Sequence, residues 1–343
     1  MKVIHLLPTN TFSGAENVVC QIINLFDGEI DMVYVSPDGS ISKSVKDRGA
    51  RFIPLKKHSY RYLKKIVKEE KPDIIHAHDV KSSILASFFS SKCRIISTIH
   101  VNSPAMSRTS LKSILYKICS KRIEKIIFVS QTSLDCYRYK KNVERKSLVL
   151  NNVINPKTLY MRSKEYETPQ YDVIYLGRLE PQKNPLRVLD VCNLVSSKKH
   201  LSFKVCVVGD GSLKEEFTNR IKELFLENIV DYIGYSNNPY PYLSNSKILL
   251  MTSLFEGTPM CVLEAMSFGK VVVSTPTDGI VRLVNNDSGF ISDDSDEIAE
   301  ELYKLITNDN YYSDKSRRSK QSFDAFNNID EYKEILKNIY VGI

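Results

Sequence analysis

Residues 253–276 read SLFEGTPMCVLEAMSFGKVVVSTP, and their punctuation decides the fold. An apolar run, Lys247–Met251, ends just before Ser253, and a short loop then carries Glu256 and Gly257. Thr258 suits the N-cap of a helix and Pro259 its first position, where a missing N–H costs little. Gly269 closes that helix, and Lys270–Ser274 starts another β-branched run. Strand, loop, helix and strand in that order imply a parallel sheet covered by helices. Glu256 then sits at the C-terminal edge of the sheet, where such folds bind ligands. Glu264 lies just over one helical turn further on, close enough to face the same crevice. The helix start, Thr258-Pro259-Met260-Cys261, offers backbone N–H groups to a diphosphate or to sugar hydroxyls. The two carboxylates suit hydroxyl groups better than phosphate.

The same alternation extends in both directions. Val3–Leu7, Met32–Val35, Ile74–His76, Arg94–Ile99 and Ile126–Val129 read as strands, with helices at Gly14–Phe26, Tyr60–Glu70, Ser82–Phe89 and Leu111–Arg122. A polar, proline-bearing stretch at 155–170 reads as a linker. Strands resume at Val173–Leu176, Phe203–Val208, Ile229–Tyr232 and Lys247–Met251. This predicts an α/β protein of two Rossmann-like domains, residues 1–160 and 170–321. A helical tail over 322–343 is expected to pack back on the first.

A chain of 343 residues with 42% apolar and 26% charged residues builds its own cores without disulfide or metal staples. No apolar run approaches the roughly 20 residues that cross a bilayer, and MKVIHLLPTN reads as a first strand rather than a signal peptide. The seven cysteines are scattered and never spaced CxxC, which fits reduced, buried thiols in the cytoplasm. The net charge of +8 hides an asymmetry. Residues 1–160 carry 27 Lys and Arg against 13 Asp and Glu, and the remainder carries 21 against 27. A basic half points to an anionic surface or substrate, either the cytoplasmic leaflet or nucleic acid, the competing reading being a solvated surface.

Gly177-Arg178-Leu179-Glu180-Pro181-Gln182-Lys183-Asn184 follows a strand directly. Its loop presents two cations, with no acid expected between them and a ligand. Arg178 can fork onto phosphate oxygens and Lys183 supplies a point charge. Val208-Gly209-Asp210-Gly211 follows another strand and permits close backbone approach.

With Glu256 and Glu264 forming E-x7-E, and the GRLxxxKN and VGDG elements in this order, the chain resembles glycosyltransferase family 4. Ser13-Gly14-Ala15-Glu16 is similar to the family's Gly-Gly-Ala-Glu turn, and Ser97-Thr98-Ile99-His100 to its Thr-x-His strand end. The resemblance implies the GT-B fold, two Rossmann-like domains with parallel sheets facing a central cleft, and a retaining transferase of bacterial polysaccharide synthesis. It implies that Glu256 binds hydroxyls of the transferred sugar and Glu264 those of the ribose. Arg178 and Lys183 would hold the leaving diphosphate, with Gly177, Gly209 and Gly257 close to the donor. Ser13 and Gly14 would approach the same phosphates from the other domain, and His100 would line the reacting centre. Ser13 replaces the family's first glycine, and Arg282 stands where the family has Glu. The competing reading of His100 is a satisfied strand-end histidine.

No metal or other cofactor is expected. His76 and His78 lack a Cys or acidic cluster to complete a metal site, and Asp293, Asp294 and Asp296 read as a polar turn. The expected reaction moves a hexose from a UDP-sugar to a glycan or polyprenyl-diphosphate-linked acceptor at the inner leaflet. A front-face route fits, since no carboxylate nucleophile stands apart from Glu256. The alternatives are a nucleotide-sugar 2-epimerase of the same fold and a non-catalytic partner subunit. A dehydrogenase is disfavoured, since no GxGxxG follows the first strand, and no nucleic-acid-binding motif accompanies the charge.

Overall fold

The computed structural model describes residues 1–100 and 104–343. The chain divides into two compact units, Met1–Val153 with Ile329–Ile343, and Ile154–Asn328. The first holds seven parallel strands: β1 (Lys2–Leu6), β2 (Asp31–Pro37), β3 (Phe52–Leu55), β4 (Ile74–His78), β5 (Arg94–Ile99), β6 (Lys125–Phe128) and β7 (Ser147–Val149). Their spatial order is β3-β2-β1-β4-β5-β6-β7. The second holds β8 (Tyr171–Leu176), β9 (Val205–Val208), β10 (Val230–Gly234), β11 (Ser246–Met251), β12 (Val271–Ser274) and β13 (Gly289–Ile291), ordered β10-β9-β8-β11-β12-β13. Both are doubly wound sheets whose strand order reverses once, between β1 and β4 and between β8 and β11.

The central strands are near-continuous runs of Val, Ile and Leu because helices cover both faces. Ile4 and Leu6 of β1 pack with Ile75 and Ala77 of β4, while Val173 and Tyr175 of β8 pack with Ile248 and Leu250 of β11. Polar groups concentrate at the C-terminal ends of these strands, where the sites begin.

The segment 155–170 is not wholly a linker. Asn155 caps a helix over Pro156–Arg162, accepting from the N–H groups of Lys157 and Thr158, with proline in the first turn. The tail is not one helix either. Asp309–Phe326 belongs to the second unit and buries Phe323, and a break at Asn327-Asn328 precedes the helix Ile329–Val341 of the first unit. Asn327 clamps the chain there: its Oδ1 accepts from the Ile154 N–H at 2.8 Å, and its Nδ2 donates to the Ile154 carbonyl at 3.0 Å.

Candidate active site

In the second unit, the loops that leave β8 and β11 meet across the reversal of strand order. The Leu254 N–H donates to the Gln182 carbonyl (2.9 Å), and Gln182 Nε2 donates to the Phe255 carbonyl (3.0 Å). Thr252 Oγ1 donates to the carbonyls of Asn184 (2.8 Å) and Lys183 (3.3 Å). Asn184 adopts a left-handed backbone (φ 47°), which turns the chain sharply into the helix Pro185–Lys199. This stitching holds Lys183 Nζ 2.5 Å from Glu256 Oε1, with side chains 16% and 7% exposed. Lys183 is thus paired with an acid of the neighbouring loop. Arg178 differs: it is exposed and makes no ion pair among the described residues. Glu180 accepts from the N–H and hydroxyl of Ser212 and stays within electrostatic reach of Arg178.

Two glycines let these loops close up. A Cβ on Gly209, whose φ is +150°, would lie 1.8 Å from the Gly177 carbonyl oxygen. A Cβ on Gly279 would lie 1.4 Å from the carbonyl oxygen of Gly257, so the segment after β12 braces the loop of Glu256. The helix Met260–Ser267 starts one residue later than expected: Pro259 is its extended N-cap and Met260 its first residue. Its N-cap, Pro259, supplies no side-chain hydrogen bond to the first turn. Glu264 is buried on this helix and accepts from the Tyr240 hydroxyl at 3.1 Å. Arg162 stands over the Tyr240 ring at 5.2 Å. Burial pushes the Cys261 thiol up to about 12, which makes it a packing residue rather than a nucleophile.

In the first unit, the helix Gly14–Leu25 likewise starts without a side-chain cap. The Ser13 hydroxyl donates to Glu16 Oε2 and that of Thr9 to Glu16 Oε1, both at 2.5 Å. Glu16 thus fixes the turn that carries Gly14. His100 follows β5 and is buried, and its backbone N–H donates to Asp79 Oδ1 at 3.3 Å. Burial lowers the imidazole to about 4, with Glu16 opposing that shift. His5, His76 and His78 cluster on one side of β1 and β4 with ligand atoms close enough for a metal ion. All six of their ring nitrogens nevertheless have partners: Met32, Tyr340, Thr98, His100 and one another. Of the three aspartates after β13, Asp293 pairs with Arg187, Asp294 caps the helix Ser295–Thr307, and Asp296 pairs with Lys198.

Sequence reading missed Tyr240, Thr252 and Gln182, whose roles depend on partners roughly 24 to 73 positions away. His5 and Asp79 were also missed, although Asp79 directly follows the His76 and His78 noted in the sequence.

Two doubly wound sheets of this kind make up the GT-B fold. Residues 12–158 match the model of Glycosyltransferase Family 4, and residues 157–322 that of Glycosyl transferases group 1. The chain belongs to this family of glycosyltransferases. It is 30% identical to an uncharacterized glycosyltransferase of Haemophilus influenzae over 206 residues, spanning 57% of this chain and 58% of that one. It is 24% identical to the UDP-Gal:alpha-D-GlcNAc-diphosphoundecaprenol alpha-1,3-galactosyltransferase of Escherichia coli, spanning 100% of this chain and 97% of that one. Anabaena HepE in complex with UDP-glucose has the same fold, with a TM-score of 0.86 at 18% identity over the full length of both chains.

Proposed function

We propose that this chain is a retaining, metal-independent glycosyltransferase that moves a hexose from a UDP-sugar to a glycan on a polyprenyl diphosphate. It acts in cell-surface polysaccharide synthesis, at the inner leaflet of the membrane. The observation that carries the reading is the Lys183–Glu256 pair at the sheet reversal, with Arg178 exposed on the same loop as Lys183 and in no ion pair among the described residues. Departure of a nucleoside diphosphate builds negative charge, and fixed cations lower that barrier without a metal ion. Arg178 and Lys183 receive the diphosphate, Glu256 a sugar hydroxyl and Glu264 the ribose. Gly14 and His100 keep the roles that the family resemblance assigns. The donor rests on the HepE likeness and the galactosyltransferase relative, both named with uridine nucleotides. The acceptor rests on that relative and on a Campylobacter jejuni enzyme acting on a GalNAc-bearing diphosphoundecaprenol, 26% identical.

The first unit supports membrane contact. On the helix Leu111–Ser120, Leu111, Ile114, Leu115 and Ile118 are exposed at i, i+3, i+4 and i+7, while Tyr116 and Cys119 face the core. Lys112, Lys117, Lys121 and Arg122 flank this apolar stripe. The helix Tyr60–Glu70 turns Leu63, Ile66 and Val67 inward and leaves Arg61, Lys64, Lys65 and Lys68 outside. Such cations gain about 1 kcal/mol each near an anionic leaflet, and the apolar stripe enters the interface. Among the described residues no helix is long and apolar enough to cross a membrane.

The test is transfer from UDP-sugars to polyprenyl-diphosphate acceptors in the presence and absence of chelator. Transfer that survives chelation, with the anomeric configuration kept, is expected. Donor turnover to an epimer without acceptor would instead favour the epimerase, and loss restored by Mg²⁺ would refute metal independence.

A further inference from the structure

Three imidazoles lie in series beneath the C-terminal edge of the first sheet. His5 Nδ1 is 3.0 Å from His78 Nε2, and His78 Nδ1 is 2.9 Å from His100 Nε2. At the far end, His5 Nε2 faces the Met32 thioether sulfur at 3.4 Å. At the near end, His100 Nδ1 is buried and has no partner among the described residues. Burial drives all three imidazoles well below their ordinary range, so each ring is neutral at pH 7. A neutral imidazole carries one N–H and one lone pair, so fixing the proton at one end of the series fixes all of them.

The sulfur of Met32 supplies that fixed end. A thioether has lone pairs and no hydrogen, so the nitrogen facing it carries the proton; a bare nitrogen would set lone pair against lone pair. His5 Nε2–H then donates to Met32, His78 Nε2–H donates to His5 Nδ1, and His100 Nε2–H donates to His78 Nδ1. His100 is left with a bare Nδ1.

We infer that Met32, His5 and His78 are positioning residues that hold His100 in its Nε2–H tautomer, so that Nδ1 offers an acceptor to a hydroxyl-bearing ligand. The inference rests on the glycosyltransferase reading only for the identity of that ligand. A bare nitrogen accepts from a sugar or acceptor hydroxyl and repels a phosphate oxygen, so His100 does not serve the diphosphate. His76 stands outside the series. Its ring stacks on His78 at 4.4 Å while its nitrogens engage the Tyr340 and Thr98 hydroxyls, so it braces His78 without altering the direction of donation. Asp79, held in a left-handed conformation (φ 70°), anchors the backbone of His100 and so aims its ring at His78.

Long-range proton–nitrogen correlation spectra of the full chain, labelled with ¹⁵N-histidine at pH 7, read the tautomers directly. The six histidines are assigned by single His→Gln substitutions. The expected result is a protonated Nε2 and bare Nδ1 on His5, His78 and His100. A protonated Nδ1 on His78 or His100, or a tautomer mixture on either, overturns the inference. This readout needs no transfer activity, so failure of the functional reading leaves it intact. Met32→Leu, close in volume, removes the anchoring acceptor and should give His100 a mixed tautomer; an unchanged spectrum would remove Met32 from the account. His78→Leu should lower kcat about tenfold or more with little change in donor KM, and His78→Asn, which returns an acceptor oxygen, should recover most of it. Equal losses in both variants would show that His78 acts only as packing.

Discussion

Lys183 Nζ meets Glu256 Oε1 at 2.5 Å although the two residues lie 73 positions apart, one on each side of the sheet reversal. Each is mostly shielded from water, so the pair is both a scaffold contact and a shielded store of charge.

Removing Lys183 should therefore have two effects. Lys183→Ala leaves Glu256 buried without its counter-charge, and we expect a loss of about 3 kcal/mol in denaturant unfolding. Turnover should fall by about 10²-fold or more, because a donor aimed at developing charge is gone. Arg178→Ala should match the loss of turnover but change stability by under about 0.5 kcal/mol, since Arg178 is exposed and in no ion pair among the described residues. Equal stability losses would refute the contrast, and full turnover in either variant would refute the diphosphate role.

The two glutamates should separate by calorimetry with free UDP. Glu264→Ala should weaken nucleotide binding, and Tyr240→Phe should weaken it less, by loosening the carboxylate it holds. Glu256→Ala should leave nucleotide binding nearly intact and abolish transfer. A common loss across Glu256→Ala and Glu264→Ala would refute the split.

The exposed stripe on Leu111–Ser120 offers a test of membrane contact independent of transfer. Leu111→Asp with Ile118→Asp should reduce co-sedimentation with vesicles containing phosphatidylglycerol while leaving the melting temperature unchanged, since both side chains lie outside the core. Binding by the parent chain should fade as salt rises. Binding insensitive to both the substitutions and the salt would mark the basic half as a solvated surface.

Acid should destabilise the first unit early. His5 is lowered by burial from 6.5 to about 3 and His100 to about 4, so the folded state stays unprotonated where the unfolded chain takes up protons. Stability is then flat above about pH 6.5 and falls as pH drops from there toward 4, by up to about 1.4 kcal/mol per unit for each such histidine. Denaturant midpoints at pH 7, 6 and 5 give the slope. His5→Gln should make it shallower, and an unchanged slope would show that His5 is protonated in the folded chain.

Much of this architecture was legible because buried parallel strands are written as β-branched runs and covering helices as amphipathic ones; Arg94–Ile99 and Tyr60–Glu70 fall where their patterns place them. The missed strands, β3 and β7, are short and largely unburied, and β3 carries Pro54, which an edge strand tolerates and a central one does not. The helix Pro156–Arg162 carried both of its start signals, Asn155 and Pro156, but is too short to show a periodicity. The E-x7-E glutamates could be found because their spacing is local. The partners of Glu256 and Glu264 could not, because Lys183 and Tyr240 reach them through tertiary packing alone. For the same reason the pairing of His5 with His78, also 73 positions apart, has no trace in the sequence.

The helix Ile329–Val341 closes the first unit by laying the Tyr340 hydroxyl 2.9 Å from His76 Nδ1, and Arg94 grips the Ile339 carbonyl at 2.8 Å. During synthesis, residues 1–153 emerge first, yet their last helix follows only after residues 154–328 have been made. Until Tyr340 clears the ribosome, the nascent first sheet keeps an open flank around His76 and Phe26, a surface for chaperones to hold and proteases to find. A translation product stopped anywhere before Tyr340 keeps that flank open and so carries its own mark for removal.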